Sequence, residues 1–131
     1  QELRINNVNF IDWIPYENLP LEIAKADICL GGHFSDIEKA KRVIAGKTFQ
    51  FIAMKKPVIV GDCQANYELF RHKENAYFVK MADASSLSES ILALRDNASL
   101  MDKIAKNGYN TFIEKCNTET IIKEMRNVIG T

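Results

Sequence analysis

The feature that most constrains the fold of this chain is a short run of apolar, mainly β-branched residues near its middle. Pro57-Val58-Ile59-Val60 carries no polar side chain and stops at Gly61-Asp62. A continuous apolar run of this length, bounded by turn residues, is typical of a strand that is buried on both faces of a parallel sheet. Parallel strands need crossover connections, which are usually helices. The chain is therefore predicted to belong to the α/β class.

Further strand and helix patterns alternate along the chain on both sides of this run. Short runs rich in β-branched or aromatic residues predict strands at Val8–Ile11, Asp27–Leu30 and Ala76–Val79. Helical patterns are predicted between them, over 19–26, 47–55 and 65–71. Since strands alternate with helices, we expect a Rossmann-like parallel sheet with flanking helices, formed by residues 1–131 as a single partial domain.

The last part of the chain is predicted to be helical throughout. Ser86-x-x-Glu89 has the pattern of a capping box and is expected to open the first of three helices. An apolar repeat from Leu100 marks the second helix, which should end near Gly108 or continue to Phe112. Apolar residues at helical spacing over 121–129 mark the third.

Composition excludes several classes of function. The 17 basic residues and 17 acidic residues cancel, whereas wholesale nucleic-acid binding needs a basic excess. No apolar run approaches the roughly 18 residues of a membrane-spanning helix. The three cysteines are scattered, which argues against a disulfide framework or a zinc site and favours the cytoplasm. Cys29 lies in an apolar run and is expected to pack in the core.

Candidate binding residues follow the predicted strands, because ligands of open parallel sheets bind outside the carboxyl ends of the strands. Three such ends are Gly31-Gly32-His33, Gly61-Asp62-Cys63 and 80–83. The first leads into a basic stretch: Lys39, Lys41, Arg42 and Lys47.

Lys47-Thr48 stands at the predicted start of a helix, just after Gly46, and free backbone N–H groups and the helix dipole there favour an anion. Glycine at position 46 would let a phosphate approach the backbone closely. The stretch therefore predicts a diphosphate cradle, and its alternative interpretation is a solvated basic loop.

Several standard sites are excluded by their motifs. The chain has neither Gly-x-Gly-x-x-Gly after a first strand nor a Walker loop, since Gly46-Lys47-Thr48 lacks the upstream glycine. No Ser or Cys stands in a nucleophile elbow. His33 and His72 have no companions at metal-ligand spacing, so a structural role is expected for His33 and a surface position for His72.

Several segments resemble the carboxy-terminal domain of GT-B glycosyltransferases. Val8-Asn9-Phe10 and Ala26-Asp27-Ile28 resemble its V-x-F and A-D-(I/V) elements. The segment 39–59, KAKRVIAGKTFQFIAMKKPVI, is similar to the donor-site segment of glycosyltransferase family 4-like proteins. Gly61-Asp62 and Glu74-Asn75-Ala76 resemble the turn and the closing strand that follow. The likeness covers nearly the whole chain.

The resemblance implies a set of donor-binding residues, with the nucleotide diphosphate at the basic loop and the ribose at Gln50. The set is Gly32, Lys39, Arg42, Gly46, Lys47, Thr48 and Gln50. It implies a hexosyltransferase of polysaccharide or glycoconjugate biosynthesis that retains the anomeric configuration and needs no obligatory metal or other cofactor. No catalytic residue is assigned.

Departures from the family pattern put the identity of the donor in doubt. Family members often carry two glutamates eight residues apart, and here Arg42 and Gln50 stand at those positions. Glutamine can still hydrogen-bond ribose hydroxyls, whereas Arg42 offers a charge-assisted contact to phosphate. Ala45 replaces a proline, and Lys56 is taken to replace the usual glycine before the Pro-Val-Ile strand.

The resemblance also implies missing parts. The chain begins with neither an initiator Met nor a signal peptide, so we expect it to start in mid-protein, without two strand–helix units and the amino-terminal acceptor domain. The missing strands would lie between Val8–Ile11 and Asp27–Leu30. Unpaired strand edges recruit other chains, so the isolated chain is expected to self-associate or to fold only with residues upstream of Gln1. It should be inactive alone, and the full protein could contact a membrane peripherally.

Other functions compete with a sugar transferase. A nucleotide-sugar epimerase of GT-B architecture would act without an acceptor. A non-catalytic interaction domain would have no nucleotide affinity and no need of convergent Arg42 and Lys47. A phosphate-receiver domain would need an acidic cluster at the first strand end, where the chain has only Asp12-Trp13-Ile14.

Overall fold

The structure, a computed structural model, describes residues 5–130. Its centre is a three-stranded parallel sheet in the order β1-β2-β3: β1 (Cys29–Gly32), β2 (Val58–Gly61) and β3 (Tyr77–Val79). All four residues of β2 are buried, as the apolar run predicts. The α/β class and the parallel sheet with flanking helices are thus confirmed.

Helices make up most of the rest of the described chain. A 3-10 turn, Tyr16–Asn18, leads into α1 (Leu19–Ala24), and the helices that follow are α2 (Glu38–Lys41), α3 (Gly46–Ala53), α4 (Gln64–Tyr67), α5 (Ala84–Arg95), α6 (Ala98–Lys115) and α7 (Thr118–Ile129). Within residues 5–130, each helix is too short or too polar to cross a bilayer.

The core lies on both faces of the sheet, because alternate residues of β2 point to opposite sides. On one face, Val58 and Val60 pack with Ile52 of α3 and with Phe70. On the other face, Ile59 packs against side chains from β3, α5 and α6: Val79, Leu94 and Ile104. Cys29 is buried as expected, and burial raises the pKa of its thiol.

The prediction of a strand at Val8–Ile11 is wrong. Residues 8–11 form no regular structure, and Val8, Phe10 and Ile11 are exposed. A strand is stabilised by pairing with a neighbour, and this segment pairs with none in residues 5–130. The sheet instead consists of three strands that are adjacent in chain order, so the expected gap between Val8–Ile11 and the next strand does not form.

Several helix boundaries differ from the sequence predictions: α1 ends at Ala24, α3 spans Gly46–Ala53, and α2 was not predicted. The predicted capping box is wrong, because α5 begins at Ala84, before Ser86. Asp83 caps the helix instead: its carboxylate accepts the backbone N–H of Ser86 at 2.9 Å. Helix α4 ends at Tyr67, short of the predicted Arg71. Helix α6 continues through Gly108 to Lys115, beyond both predicted ends. Gly108 packs closely on α3, since a Cβ there would lie 3.2 Å from Ile52 Cγ2.

The glycine missing before the Pro-Val-Ile strand is replaced by Lys55 rather than by Lys56. Lys55 has a φ of 58°, the left-handed conformation in which glycine commonly ends a helix. Lys56 instead donates from Nζ to the carbonyl oxygen of Ala24 at 3.0 Å, near the end of α1. Lys55 therefore stands in the position that ends α3, and the Lys56 side chain binds the backbone near the end of α1.

Gly31 is predicted to be essential for the packing of α3 on β1. A Cβ at Gly31 would lie 2.5 Å from Thr48 Oγ1 and 3.0 Å from Val58 Cγ2. Forcing an extra methyl into a filled core costs about 1–3 kcal/mol, so Gly31→Ala should lower the free energy of unfolding by that amount in urea titrations. Gly46→Ala is the matched control, since its Cβ would meet nothing within 4 Å. Equal stability of the two variants would contradict the packing.

Candidate functional site

The carboxyl ends of the three strands meet at one edge of the sheet, because the strands are parallel. The end of β2 is closed by protein atoms. A Cβ at Gly61 would overlap the His33 carbonyl oxygen and the Met81 sulfur. A ligand at this edge therefore has room beside β1 and α3 rather than directly over β2.

The first turn of α3 is open to solvent. Ala45 precedes the helix and makes no side-chain cap, and the first turn contains no acidic residue. The N–H of Thr48 donates to Ala45 at 3.0 Å, whereas those of Gly46 and Lys47 have no partner within residues 5–130. Gly46 is exposed with empty space where a Cβ would be. This helix start can accept an anion, because the free N–H groups and the helix dipole both favour negative charge.

The basic residues before α3 are partly neutralised by acids of the same segment. Lys41 Nζ lies 2.6 Å from the Asp36 carboxylate, and an Arg42 guanidinium nitrogen lies 3.8 Å from the Glu38 carboxylate. Both partners of the Arg42 pair are 77% exposed. Such surface pairs contribute little, so Arg42 can exchange Glu38 for a phosphate at small cost.

Lys39 and Lys47 complete the exposed basic group, on α2 and on the first turn of α3. No ion pair of either lysine is present among the described residues. Of the predicted set, the structure thus joins Gly46 and Lys47 with Gln50 on a single helix, and Arg42 lies on the turn that leads to it.

Gln50 lies one turn after Lys47 and is half-buried. Residues three apart on a helix are neighbours on its surface, so the two side chains share one side of α3. Gln50 lines a pocket of about 200 Å³ between α3 and α1 whose other walls are mainly apolar: Tyr16, Leu19, Pro20, Ile23, Ala53 and Met54. These wall residues form no local sequence pattern that predicts a pocket, because they come from two helices and a turn that are distant in sequence.

Thr48 and Gly32 occupy structural positions. The Thr48 side chain is completely buried against Gly31, and its hydroxyl has no hydrogen-bond partner among the described residues. Gly32, the last residue of β1, has a φ of 79°, a conformation that favours glycine. The structure thus gives both residues a packing or backbone role, and their predicted contact with the donor stays a prediction.

Metal-binding side chains are dispersed. Over residues 5–130, no three His, Cys, Asp or Glu side chains come close enough together to hold an ion. His72 is exposed as expected, and its Nδ1 accepts the backbone N–H of Phe78 at 3.0 Å.

Comparison with known families identifies the chain. The family model described as glycosyl transferase-like matches residues 1–127. The chain belongs to this family. No curated protein matches it significantly.

Solved structures share the glycosyl transferase-like fold. The carboxy-terminal domain of a group 1 family glycosyl transferase, LpcC from Francisella tularensis, has 22% identity and a TM-score of 0.66 over 85% of this chain and 53% of its own. Anabaena HepE in complex with UDP-glucose has 15% identity and a TM-score of 0.73, over 86% of this chain and 30% of its own.

A third similar structure is the sucrose-phosphate synthase of Thermosynechococcus elongatus, with 18% identity and a TM-score of 0.72 over 92% of this chain and 29% of its own. The chain thus spans about half of the isolated LpcC domain and less than a third of the two longer proteins. At these identities the likeness establishes the fold, a carboxy-terminal GT-B domain in part.

Thr48→Val tests whether the buried Thr48 hydroxyl has a hydrogen-bond partner inside this glycosyl transferase-like domain. Because the hydroxyl is buried and unpartnered, Thr48→Val should leave the free energy of unfolding unchanged or raise it by about 1 kcal/mol. Thr111→Val is the matched control: Thr111 Oγ1 is 2.9 Å from both Asn75 Nδ2 and the Asn107 carbonyl oxygen, and its loss should cost about 1–3 kcal/mol. If both variants lost the same free energy of unfolding in urea titrations, the Thr48 hydroxyl would have a hydrogen-bond partner.

Proposed function

We propose that this chain is the donor-binding part of a glycosyltransferase that transfers a hexose from a nucleotide-diphosphate sugar to an acceptor. Membership of the glycosyl transferase-like family supports the reaction class. The likeness to HepE, whose structures hold UDP and UDP-glucose, supports a nucleotide-sugar donor. The observation that carries the proposal is the open first turn of α3 at the carboxyl edge of the sheet.

The diphosphate binds at this first turn. The N–H groups of Gly46 and Lys47 donate to phosphate oxygens, and glycine permits the close approach. Lys39, Arg42 and Lys47 supply the positive charge, with Arg42 leaving Glu38 for the phosphate. A charge-assisted hydrogen bond is stronger than the exposed ion pair that it replaces.

The nucleoside extends from the diphosphate along α3. Gln50 contacts the ribose hydroxyls, because its amide offers both a donor and an acceptor one turn beyond Lys47. The base then enters the pocket beside Gln50, where Tyr16, Leu19 and Pro20 supply apolar surface. Such a pocket, with one polar side chain among apolar walls, is typical of small-molecule sites.

The contribution of this site to catalysis is electrostatic. When the sugar departs, negative charge develops on the diphosphate, where the helix dipole and the lysine and arginine side chains stabilise it. This scheme requires no metal ion. The retained anomeric configuration, the biosynthetic role in glycoconjugates and a cytoplasmic location with peripheral membrane contact are proposed from the family resemblance.

The acceptor is proposed to bind a further domain. The chain spans only 27% to 53% of the length of the first three similar structures, so a complete enzyme needs more polypeptide than these residues. The 131-residue chain should therefore bind the donor without turning it over.

The phosphate contacts are tested by removing single charges. Arg42→Ala or Lys47→Ala should weaken the binding of a nucleoside diphosphate by about 1.5–3 kcal/mol in calorimetry, as expected for a charged hydrogen bond. Lys106→Ala is the matched control, since Lys106 makes a similar exposed pair with Asp102 at 2.9 Å on α6. Unchanged affinity in both site variants, or no affinity in the parent protein, would reject the site and favour an interaction domain.

The ribose contact is tested at Gln50. Gln50→Glu should preserve or improve nucleotide affinity, because a carboxylate accepts two hydroxyl hydrogen bonds. Gln50→Leu should weaken binding, since it leaves the hydroxyls without a partner. Equal affinities of the three proteins for a nucleoside diphosphate would show that this side chain does not contact the ribose.

A further inference from the structure

The short helix α1 is joined to the other elements by few contacts. Of its six residues, Ile23 alone is buried. The ion pair between Lys25 and Glu22, at 2.8 Å, is local and holds the helix to nothing else. Among the side-chain hydrogen bonds of residues 5–130, one joins α1 to another part of the fold: Lys56 Nζ donates to the Ala24 carbonyl oxygen at 3.0 Å. A short helix is stabilised mainly by its tertiary contacts, so this bond and the burial of Ile23 decide where α1 lies.

The two ends of the Lys56 contact are well defined. The backbone N–H of Lys56 donates to the Phe51 carbonyl oxygen of α3 at 3.1 Å, and buried Pro57 follows directly. Ala24 is the last residue of α1, where backbone carbonyls have no partner inside the helix. A lysine ammonium at this place satisfies a carbonyl and complements the negative end of the helix dipole. The contact therefore ties the end of α1 to the end of α3.

The pocket beside Gln50 lies between the same two helices. Leu19, Pro20 and Ile23 of α1 form one wall, and Gln50 belongs to the wall that α3 forms. Because the two walls lie on different helices, the distance between α1 and α3 sets the width of the pocket. Lys56 does not line the pocket, so it can act on a molecule bound there only through the position of α1.

We propose that Lys56 is a positioning residue of the nucleoside pocket, which it keeps at the width of a base by holding α1 at a fixed distance from α3. The inference rests on the proposed function. A wall that is already in place lowers the conformational entropy lost on binding, so a loosened wall weakens the grip on the nucleoside. The diphosphate contacts at Gly46 and Lys47 lie at the opposite end of α3 and do not depend on α1.

The proposal is tested by calorimetry of the full-length protein with two probes. One is whichever of UDP, ADP, GDP and CDP the parent protein binds most tightly. The other is pyrophosphate, which reaches the first turn of α3 without entering the pocket. Lys56→Met keeps the length of the side chain but removes the donor, so nucleotide affinity should fall about tenfold, as for one lost charged hydrogen bond. Pyrophosphate affinity should stay unchanged, and Lys56→Arg, which keeps a charged donor, should restore nucleotide binding.

Lys55→Met is the matched control, because it removes the neighbouring positive charge, whose Nζ lies 5.6 Å from the centre of the Tyr109 ring. Both affinities should equal those of the parent protein. Unchanged nucleotide affinity in Lys56→Met would overturn the inference and leave the donor site standing. Equal losses for nucleotide and pyrophosphate would also overturn it, since they would indicate lost charge or lost fold. A parent protein that binds none of the nucleotides would reject the donor site, and this inference with it.

Discussion

The structure depends on the close packing of α3 against the sheet. Two glycines make it possible: Gly31 faces the Thr48 side chain, and Gly108 of α6 faces Ile52. A Cβ at Gly31 would lie 2.5 Å from Thr48 Oγ1 and would push α3 off the strand, whereas a Cβ at Gly108 would make a tight contact of 3.2 Å with Ile52. Interiors of this density tolerate added methyl groups poorly. The packing therefore fixes α3 in place, and the candidate site with it.

The chemistry of the site follows from where this packing leaves the start of α3. Thr48 is buried, so Gly46 and Lys47 in the same turn are held at the carboxyl edge of the sheet. A buried residue next to an exposed one anchors a helix terminus whose backbone N–H groups remain free for an anion. Rigid placement of such donors is what stabilises a developing negative charge, because no reorganisation is needed during the reaction.

The basic residues near α2 and α3 form a local group in a chain whose charges cancel overall. The chain as a whole is neutral. Acids near α2 pair with Lys41 and Arg42, yet these pairs are exposed and therefore weak. Lys41 and Arg42 are thus partly neutralised within their own segment, whereas Lys39 and Lys47 make no ion pair among the described residues.

The sequence by itself determined the α/β class, the central strand, the position of α3 and the exposed basic group at its start. Each depends on local patterns: a continuous apolar run, helical spacing, and glycine before a helix. Tertiary structure decided the rest. Val8–Ile11 has the composition of a strand but pairs with no strand in residues 5–130. The burial of the Thr48 side chain against Gly31 could not be predicted from its place in the basic stretch. Pairing and burial depend on neighbours that are distant in sequence, and no local pattern contains them.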